Sequence, residues 1–512
     1  MLSGSGDFLS DRPTAGPPVL PTARPPVHPS ARARAGAVLA PAVFVLLLAL
    51  PIGTLPASAH RLAAVLGAVV VLWVTEALPL AVTALLGAAI CVLLGVAPAK
   101  EVFAPFADPL MFLFIGAFIL SRAIFLHGLD RRVAYAVLSL PWVGARPSRI
   151  LLAFGAVTAL ISWWISNTAT TAMMFGIGLS ILAALRAPGA TVAIDPRYAT
   201  GLMLMTSFAA SIGGLATPVG SPPNVIGLGF IRSQLGVEIP FFRWMLIGVP
   251  IVLVLFAFLY VYLNAAAPAG VRELPAGVEL IGRERARLGP WTRGQRSVAI
   301  AFGITVTLWI LPGIVAVVAG EGSAAYLTLT RRMPEGVAAL LGSLLLFILP
   351  GEEGAAITWQ DAVQIDWGVV LLYGGGFALG VLSFQTGLAE AMGRGLTGLL
   401  PIEGSFGLLV ASVVVAVILS ETTSNTAAAN MVVPVVISIA RAAGLDPLEP
   451  ALGATMAASL GFMLPVSTPC NAIVYGSGYI PLNRMIRHGL VLDLAGIVVI
   501  VTMVRLLSPL LR

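Results

Sequence analysis

Apolar runs of about 20 residues recur from Gly36 to the C-terminus, and this recurrence limits the chain more than any other feature. Each run is long enough to cross roughly 30 Å of hydrocarbon as a helix, and none shows the period-2 alternation of a barrel strand. The chain has 58% hydrophobic and 10% charged residues, where soluble domains carry about 25% charged. These properties define an integral, multi-pass membrane protein folded as an all-α bundle, with the plasma (inner) membrane as its expected location.

The formal net charge of +6 does not outline a nucleic-acid surface, because the arginines lie in the connections between apolar runs. Arg131, Arg132, Arg146 and Arg149 crowd one connection, and Arg272, Arg283, Arg285, Arg287, Arg293 and Arg296 crowd another. By the positive-inside rule both are expected to be cytoplasmic. Residues 1–36, rich in Pro and Arg, read as a disordered cytoplasmic tail. A first repeat is expected over residues 37–268, a cytoplasmic loop over 269–296 and a second repeat over 297–512. The first span is expected from Ala37 to Leu55, with a second and third broken near Pro79.

Enzyme classes are poorly served. The two cysteines, Cys91 and Cys470, both sit in apolar segments, and Lys100 is the sole lysine, which removes a P-loop lysine or a Schiff base. Neither HExxH nor GxSxG occurs, and the four histidines lack metal spacing. No cofactor is expected.

Three motifs recur in the same order in the two halves. Phe112–Phe118, FLFIGAF, answers Leu371–Phe377, LLYGGGF; Ser162 with Ser166-Asn167-Thr168 answers Ser420 with Ser424-Asn425-Thr426; and Thr217–Asn224, TPVGSPPN, answers Leu464–Asn471, LPVSTPCN. One Ser-Asn-Thr triplet is weak evidence, since these residues commonly cap helices. An ordered set of three implies repeated structure.

The proline motifs cannot be continuous helix, because Pro222, Pro223 and Pro469 lack donors and disfavour the α conformation in the preceding residue. Irregular backbone at membrane depth persists only where it is buried in protein or lines a cavity. Each such span is therefore expected to be broken, exposing carbonyl oxygens beside a helix N-terminus that attracts anions. Ser, Asn and Thr at a hairpin tip offer donors to an anion and oxygens to a hard cation without bringing a fixed charge into the bilayer. With no Arg or Lys in either triplet segment, co-bound cations would offset a dianion.

These paired triplets and proline loops, with TEALPLAVTALL and WGVVLLYGGGFAL, resemble the divalent anion/sodium symporter family over nearly all of the chain after about residue 37. The resemblance implies about eleven transmembrane helices in two inverted-topology repeats, two re-entrant helical hairpins, broken helices, a homodimer and an elevator-type motion. It further implies sodium-coupled symport of C4 dicarboxylates such as succinate, malate and fumarate. Carried over by position, it places one sodium at Ser162, Ser166, Asn167 and the Gly220 carbonyl, and a second at Ser420, Thr423, Asn425 and the Ser467 carbonyl. Substrate carboxylates would meet Ser166, Asn167, Thr168, Ser424, Asn425 and Thr426, with Pro469 nearby. Ser420 departs from a family Thr but keeps the hydroxyl, and Cys470 interrupts the usual TPPN.

Other polar residues have structural readings. Glu421 is expected to tie its hairpin to neighbouring backbone donors, Glu76 to serve a scaffold or interfacial role beside Pro79, Asp108 to cap a helix that begins at Pro109, and Trp163 and Trp164 to pack the hairpin against its neighbour. The nearest rival functions are a cation-independent dicarboxylate exchanger and a sodium/sulfate symporter; a proton-coupled variant would lean on Glu421. A channel would need a polar stripe or charged ring, and a membrane enzyme a nucleophile with its base; the sequence shows neither.

Overall fold

Proline sets where the helices of this chain begin. In the computed structural model, which describes residues 30–51, 53, 55–185, 194–397 and 404–511, Pro109, Pro147, Pro196, Pro222, Pro275 and Pro469 each open a helix. Pro56, Pro79, Pro240, Pro334, Pro447 and Pro481 stand at N-cap positions. A proline there removes a donor that has no intrahelical partner in any case.

Among the described residues, ten helices are long and apolar enough to cross a membrane, joined by the shorter apolar helices Leu80–Leu93, Pro147–Ser162 and Glu335–Leu345. No β-structure occurs among them beyond an isolated bridge between Pro350 and Ala355. The all-α polytopic architecture expected from the apolar runs is therefore present. The first helix runs Ala31–Ala49, starting six residues before the expected Ala37, because Ser30 caps it by accepting from the Ala33 N–H at 3.1 Å. Residues 31–36 are helical rather than part of the tail; the rest of the expected tail, residues 1–29, lies outside the described residues. The expected loop 269–296 holds the amphipathic helix Pro275–Arg287, and the next long helix begins within it, at Arg293.

The two halves exchange helices. A methyl group on Gly116 would meet the Ala339 backbone at 2.5 Å, and one on Gly375 would meet the Ala84 side chain at 2.6 Å. Gly116 and Gly375 hold the same place in FLFIGAF and LLYGGGF, so helix Pro109–Leu126 of the first half packs on Glu335–Leu345 of the second, while Trp367–Gln385 packs on Leu80–Leu93. Matching left-handed glycines, Gly128 (φ 64°) and Gly387 (φ 81°), then turn each half into a short helix, Leu129–Leu138 or Leu388–Thr397. Positive φ at these corners suits glycine alone at no steric cost.

The two arginine-rich connections touch. Arg132 donates to the carbonyls of Leu288, Gly289 and Pro290 and lies over Trp291, and Arg285 donates to Ser139. Asp108 caps helix Pro109–Leu126 by accepting from the Leu110 N–H at 2.9 Å, as expected. It also pairs with Arg232 and accepts from the Tyr373 hydroxyl at 3.2 Å.

Candidate functional site

Each Ser-Asn-Thr triplet stands where one helix of a hairpin ends and the next begins. Helix Pro147–Ser162 turns into Asn167–Ala184, and Gly404–Thr422 turns into Asn425–Ala442. Ser166 and Ser424 are N-caps, the asparagines are the first helical residues and the threonines the second. Ser166 accepts from the Ala169 N–H at 3.3 Å, whereas the Ser424 side chain makes no cap bond. The capping reading of the triplet therefore holds in full only at Ser166. Both second helices have 18 residues and aim their N-termini at the tips, where the macrodipole favours an anion.

The proline loops break two further helices. Pro196–Gly213 resumes as Pro222–Phe230, and Leu448–Ala457 resumes as Pro469–Tyr475. Fully buried asparagines hold both loops in the same way: Asn224 Nδ2 donates to Gly214 O and Thr217 O at 2.8 and 2.9 Å, and Asn471 Nδ2 donates to Gly461 O and Leu464 O at 2.9 and 3.0 Å. Cys470 does not distort the second loop. It takes the second helical position, as Pro223 does in the first, where either residue fits because that N–H has no intrahelical partner.

At the first tip, Ser162, Asn167 and Gly220 come together. The Asn167 amide ends 2.7 Å from Ser162 Oγ and 3.1 Å from both the Ala210 and Gly220 carbonyl oxygens. With nitrogen on that side, the amide donates to both carbonyls. With oxygen there, four oxygens converge, an arrangement that a hard cation stabilises. Gly214 allows the approach, since a Cβ there would lie 2.4 Å from the nearer end of the Asn167 amide. Ser166, spent on its cap bond, does not hydrogen-bond within this cluster.

The second tip repeats the central bond. Ser162 Oγ shares a 2.7 Å hydrogen bond with the Asn167 amide, and Ser420 Oγ donates to Asn425 Oδ1 at 2.8 Å and to Ala458 O at 2.9 Å. Asn425 Nδ2 donates to Ser459 O at 3.2 Å. The Thr423 hydroxyl is turned to the Leu419 carbonyl of its own helix, 2.8 Å away. Ser467 lies beside this cluster across Gly461, whose Cβ would come within 3.4 Å of both the Ser420 carbonyl oxygen and Ser467 Cβ.

The tips and loops of opposite halves also meet. Ser207 donates to Asn471 Oδ1 at 2.6 Å, Ser221 and Ser459 share a hydrogen bond at 3.0 Å, and the Cys470 thiol lies against the hydroxyls of Thr171, Ser211, Thr168 and Thr468. Thr168 and Pro469 are exposed, while Thr426 is mostly buried. Trp164 seals the other side of the first tip, stacked with Phe241 and Trp309 at centroid distances of 6.2 and 6.5 Å. This is the packing role expected of it.

Glu421 occupies its expected tethering position. Its carboxylate accepts from Met463 N–H at 2.7 Å, Leu464 N–H at 3.3 Å and Ser467 Oγ at 2.6 Å, fastening the second hairpin to the second loop. Sequence reasoning missed its neighbour Asp493. This residue, 2% exposed on helix Leu482–Leu507, sets its carboxyl group against Glu421 and the Phe462 backbone. The Ala210, Ala458 and Ser459 carbonyls were also missed, because backbone oxygens carry no residue-type signal.

Residues 31–511 match the family described as the sodium:sulfate symporter transmembrane region. The chain is 35% identical over 447 residues to the sodium-dependent dicarboxylate transporter SdcS of Staphylococcus saprophyticus, covering 85% of this chain and 84% of the relative. It is 33% identical over 448 residues to SdcS of Staphylococcus aureus, with the same coverage of each. Among solved structures, the YdaH transporter of Alcanivorax borkumensis superposes with a TM-score of 0.52 at 11% identity, over 78% of this chain and 85% of that one. MtrF of Neisseria gonorrhoeae does so with a TM-score of 0.52 at 12% identity, over 79% and 82%. At these identities the two structures are likenesses of fold.

Proposed function

The chain belongs to the sodium:sulfate symporter family, and from that premise we propose that it is a secondary transporter that carries a C4 dicarboxylate such as succinate together with sodium. The observation that carries this reading is the repeated Ser–Asn bond, Ser162 to Asn167 and Ser420 to Asn425, set beside backbone carbonyls at two hairpin tips.

One sodium is assigned to Ser162, Ser166, Asn167 and the Gly220 carbonyl, with Ala210 as an added oxygen. The other is assigned to Ser420, Thr423, Asn425 and the Ser467 carbonyl. Both sets are oxygen-rich and uncharged, which suits a hard monovalent ion that must also leave. The dianion is assigned to the helix N-termini at Ser166-Asn167-Thr168 and Ser424-Asn425-Thr426, with Pro469 at the edge. Sodium binding raises dianion affinity by adding positive charge next to donors that carry only partial charge. By linkage the dianion strengthens sodium binding by the same factor.

The hairpins, broken helices and the long helices Phe241–Ala266 and Leu482–Leu507 are assigned to a body that moves as one, elevator-fashion, against the remaining spans of a homodimer. The description of the family favours sulfate as a second substrate reading, since sulfate is also a dianion that accepts from hydroxyls and amides. Succinate and sulfate binding by calorimetry across a sodium series tests the proposal. Affinity that rises with sodium is the expected result; an affinity independent of sodium would instead favour a cation-independent exchanger.

A further inference from the structure

No basic residue occurs in either triplet segment, yet the fold delivers one. Arg32, in the first turn of helix Ala31–Ala49, donates to the carbonyl of Thr422 and to that of Val74. Thr422 ends the first helix of the second hairpin, two residues before Ser424, and its side chain is exposed. Val74 lies in the last turn of helix Ala57–Thr75, which Glu76 closes in the left-handed conformation at φ 51°. One guanidinium therefore sits on the negative ends of two helices at the edge of the proposed site.

Its charge has no acidic partner among the described ion pairs. The neighbouring carboxylate, Glu421, is turned inward onto Met463, Leu464 and Ser467. Glu76 is exposed and forms no ion pair with Arg32. The halves differ here. Trp164 holds the place in the first hairpin that Thr422 holds in the second, and aromatic rings cover it. A helix C-terminus repels an anion, so an exposed one beside a dianion site is unfavourable unless a cation offsets it.

We infer that Arg32 is the electrostatic residue of the second half-site: a fixed cation that offsets the carbonyl end of the second hairpin and draws the dianion to it. This inference rests on the dianion-transport reading and adds to it a source of positive charge that is not a co-transported ion. A guanidinium suits the role because it stays charged at all working pH values and can hold two carbonyls with some of its five N–H donors while its charge acts on a third group. The attraction acts over several ångströms through partly aqueous space, so its effect should be moderate and should weaken with salt.

The test compares the wild type with Arg32→Gln, Arg32→Lys and, as a control, Arg34→Gln, an exposed position on the same helix. Succinate and sulfate binding are measured by calorimetry at saturating sodium, at low and high choline chloride, and sodium binding is measured without dianion. Glutamine keeps a hydrogen-bond donor while removing the charge, and lysine keeps the charge with a different geometry. Arg32→Gln should weaken both dianions about three- to tenfold and flatten the salt dependence. Arg32→Lys should recover most of the loss, sodium affinity should not fall, and Arg34→Gln should match the wild type. Unchanged dianion affinity and salt slope in Arg32→Gln would overturn the inference, as would parallel losses of dianion and sodium affinity that lysine does not rescue. A wild type that binds neither dianion at any sodium concentration would overturn the transport reading itself, and this inference with it.

Discussion

Asn224 and Asn471 make the same pair of bonds in two halves of the chain: each buried amide donates to two carbonyls that frame its own proline loop, all at 2.8 to 3.0 Å. The loops carry the carbonyls assigned to sodium, so the asparagines fix a geometry that prolines alone would leave open. Replacing either with Leu leaves two buried carbonyls without those donors, at about 1–3 kcal/mol each. Both variants should unfold at lower temperature in detergent and lose sodium-dependent succinate binding. A variant with unchanged melting temperature and binding would show that the loops hold their shape without the amide.

Thr168 and Thr426 occupy the second helical position at the two tips, one exposed and one mostly buried. Each is expected to donate to a substrate carboxylate, so Thr168→Ala and Thr426→Ala should each cost about 1.5–3 kcal/mol of succinate affinity. Melting temperature should hold. Calorimetry on both variants checks this, and unchanged affinity in both would move substrate recognition elsewhere.

Asp493 sets a second buried carboxyl group against Glu421. Asp493→Asn supplies an amide donor of the same shape toward the Glu421 carboxylate, one that does not depend on a proton shared between two carboxyl groups, so it should raise thermal stability, by about 1–3 kcal/mol. Glu421→Gln should act in the opposite direction, because the Met463 and Leu464 amides and the Ser467 hydroxyl lose a carboxylate acceptor. Thermal unfolding of the two variants distinguishes the residues; destabilisation by Asp493→Asn would contradict this account.

Arg232 and Asp108 join the broken helix of the first half to the cap of helix Pro109–Leu126, with Tyr373 as third member. Arg232 is partly exposed, so its removal should cost about 1–3 kcal/mol, between surface and buried ion pairs. A double-mutant cycle with Arg232→Gln and Asp108→Asn, read by thermal unfolding, should show coupling between the two sites. Additive losses would show that the pair contributes only as separate caps.

How much was legible in the sequence followed from where the signal lay. Hairpins and broken helices were readable because Ser-Asn-Thr and the proline loops recur in order, and each repetition constrains the other. The first helix starts earlier than its apolar run indicates, because Ser30 caps a turn that includes Arg32 and Arg34, and an apolar window excludes such a turn. Asp493 lies about 70 residues from Glu421 inside an apolar run, so nothing local marked it as a partner. Arg32 reads in the sequence as part of the Pro/Arg-rich tail; only the fold, which brings the N-terminal helix to the second hairpin, gives it a role. The exchange of helices through Gly116 and Gly375 was likewise hidden, because a glycine at a close approach reads the same as one in a flexible segment.

An inward sodium gradient should drive the uptake of a dicarboxylate. Purified protein in proteoliposomes, loaded with choline and diluted into sodium containing labelled succinate, measures this most directly. Succinate should accumulate above equilibrium with sodium outside and enter little with choline on both sides. Equal succinate exchange in the two conditions, with no accumulation driven by the gradient, would contradict it.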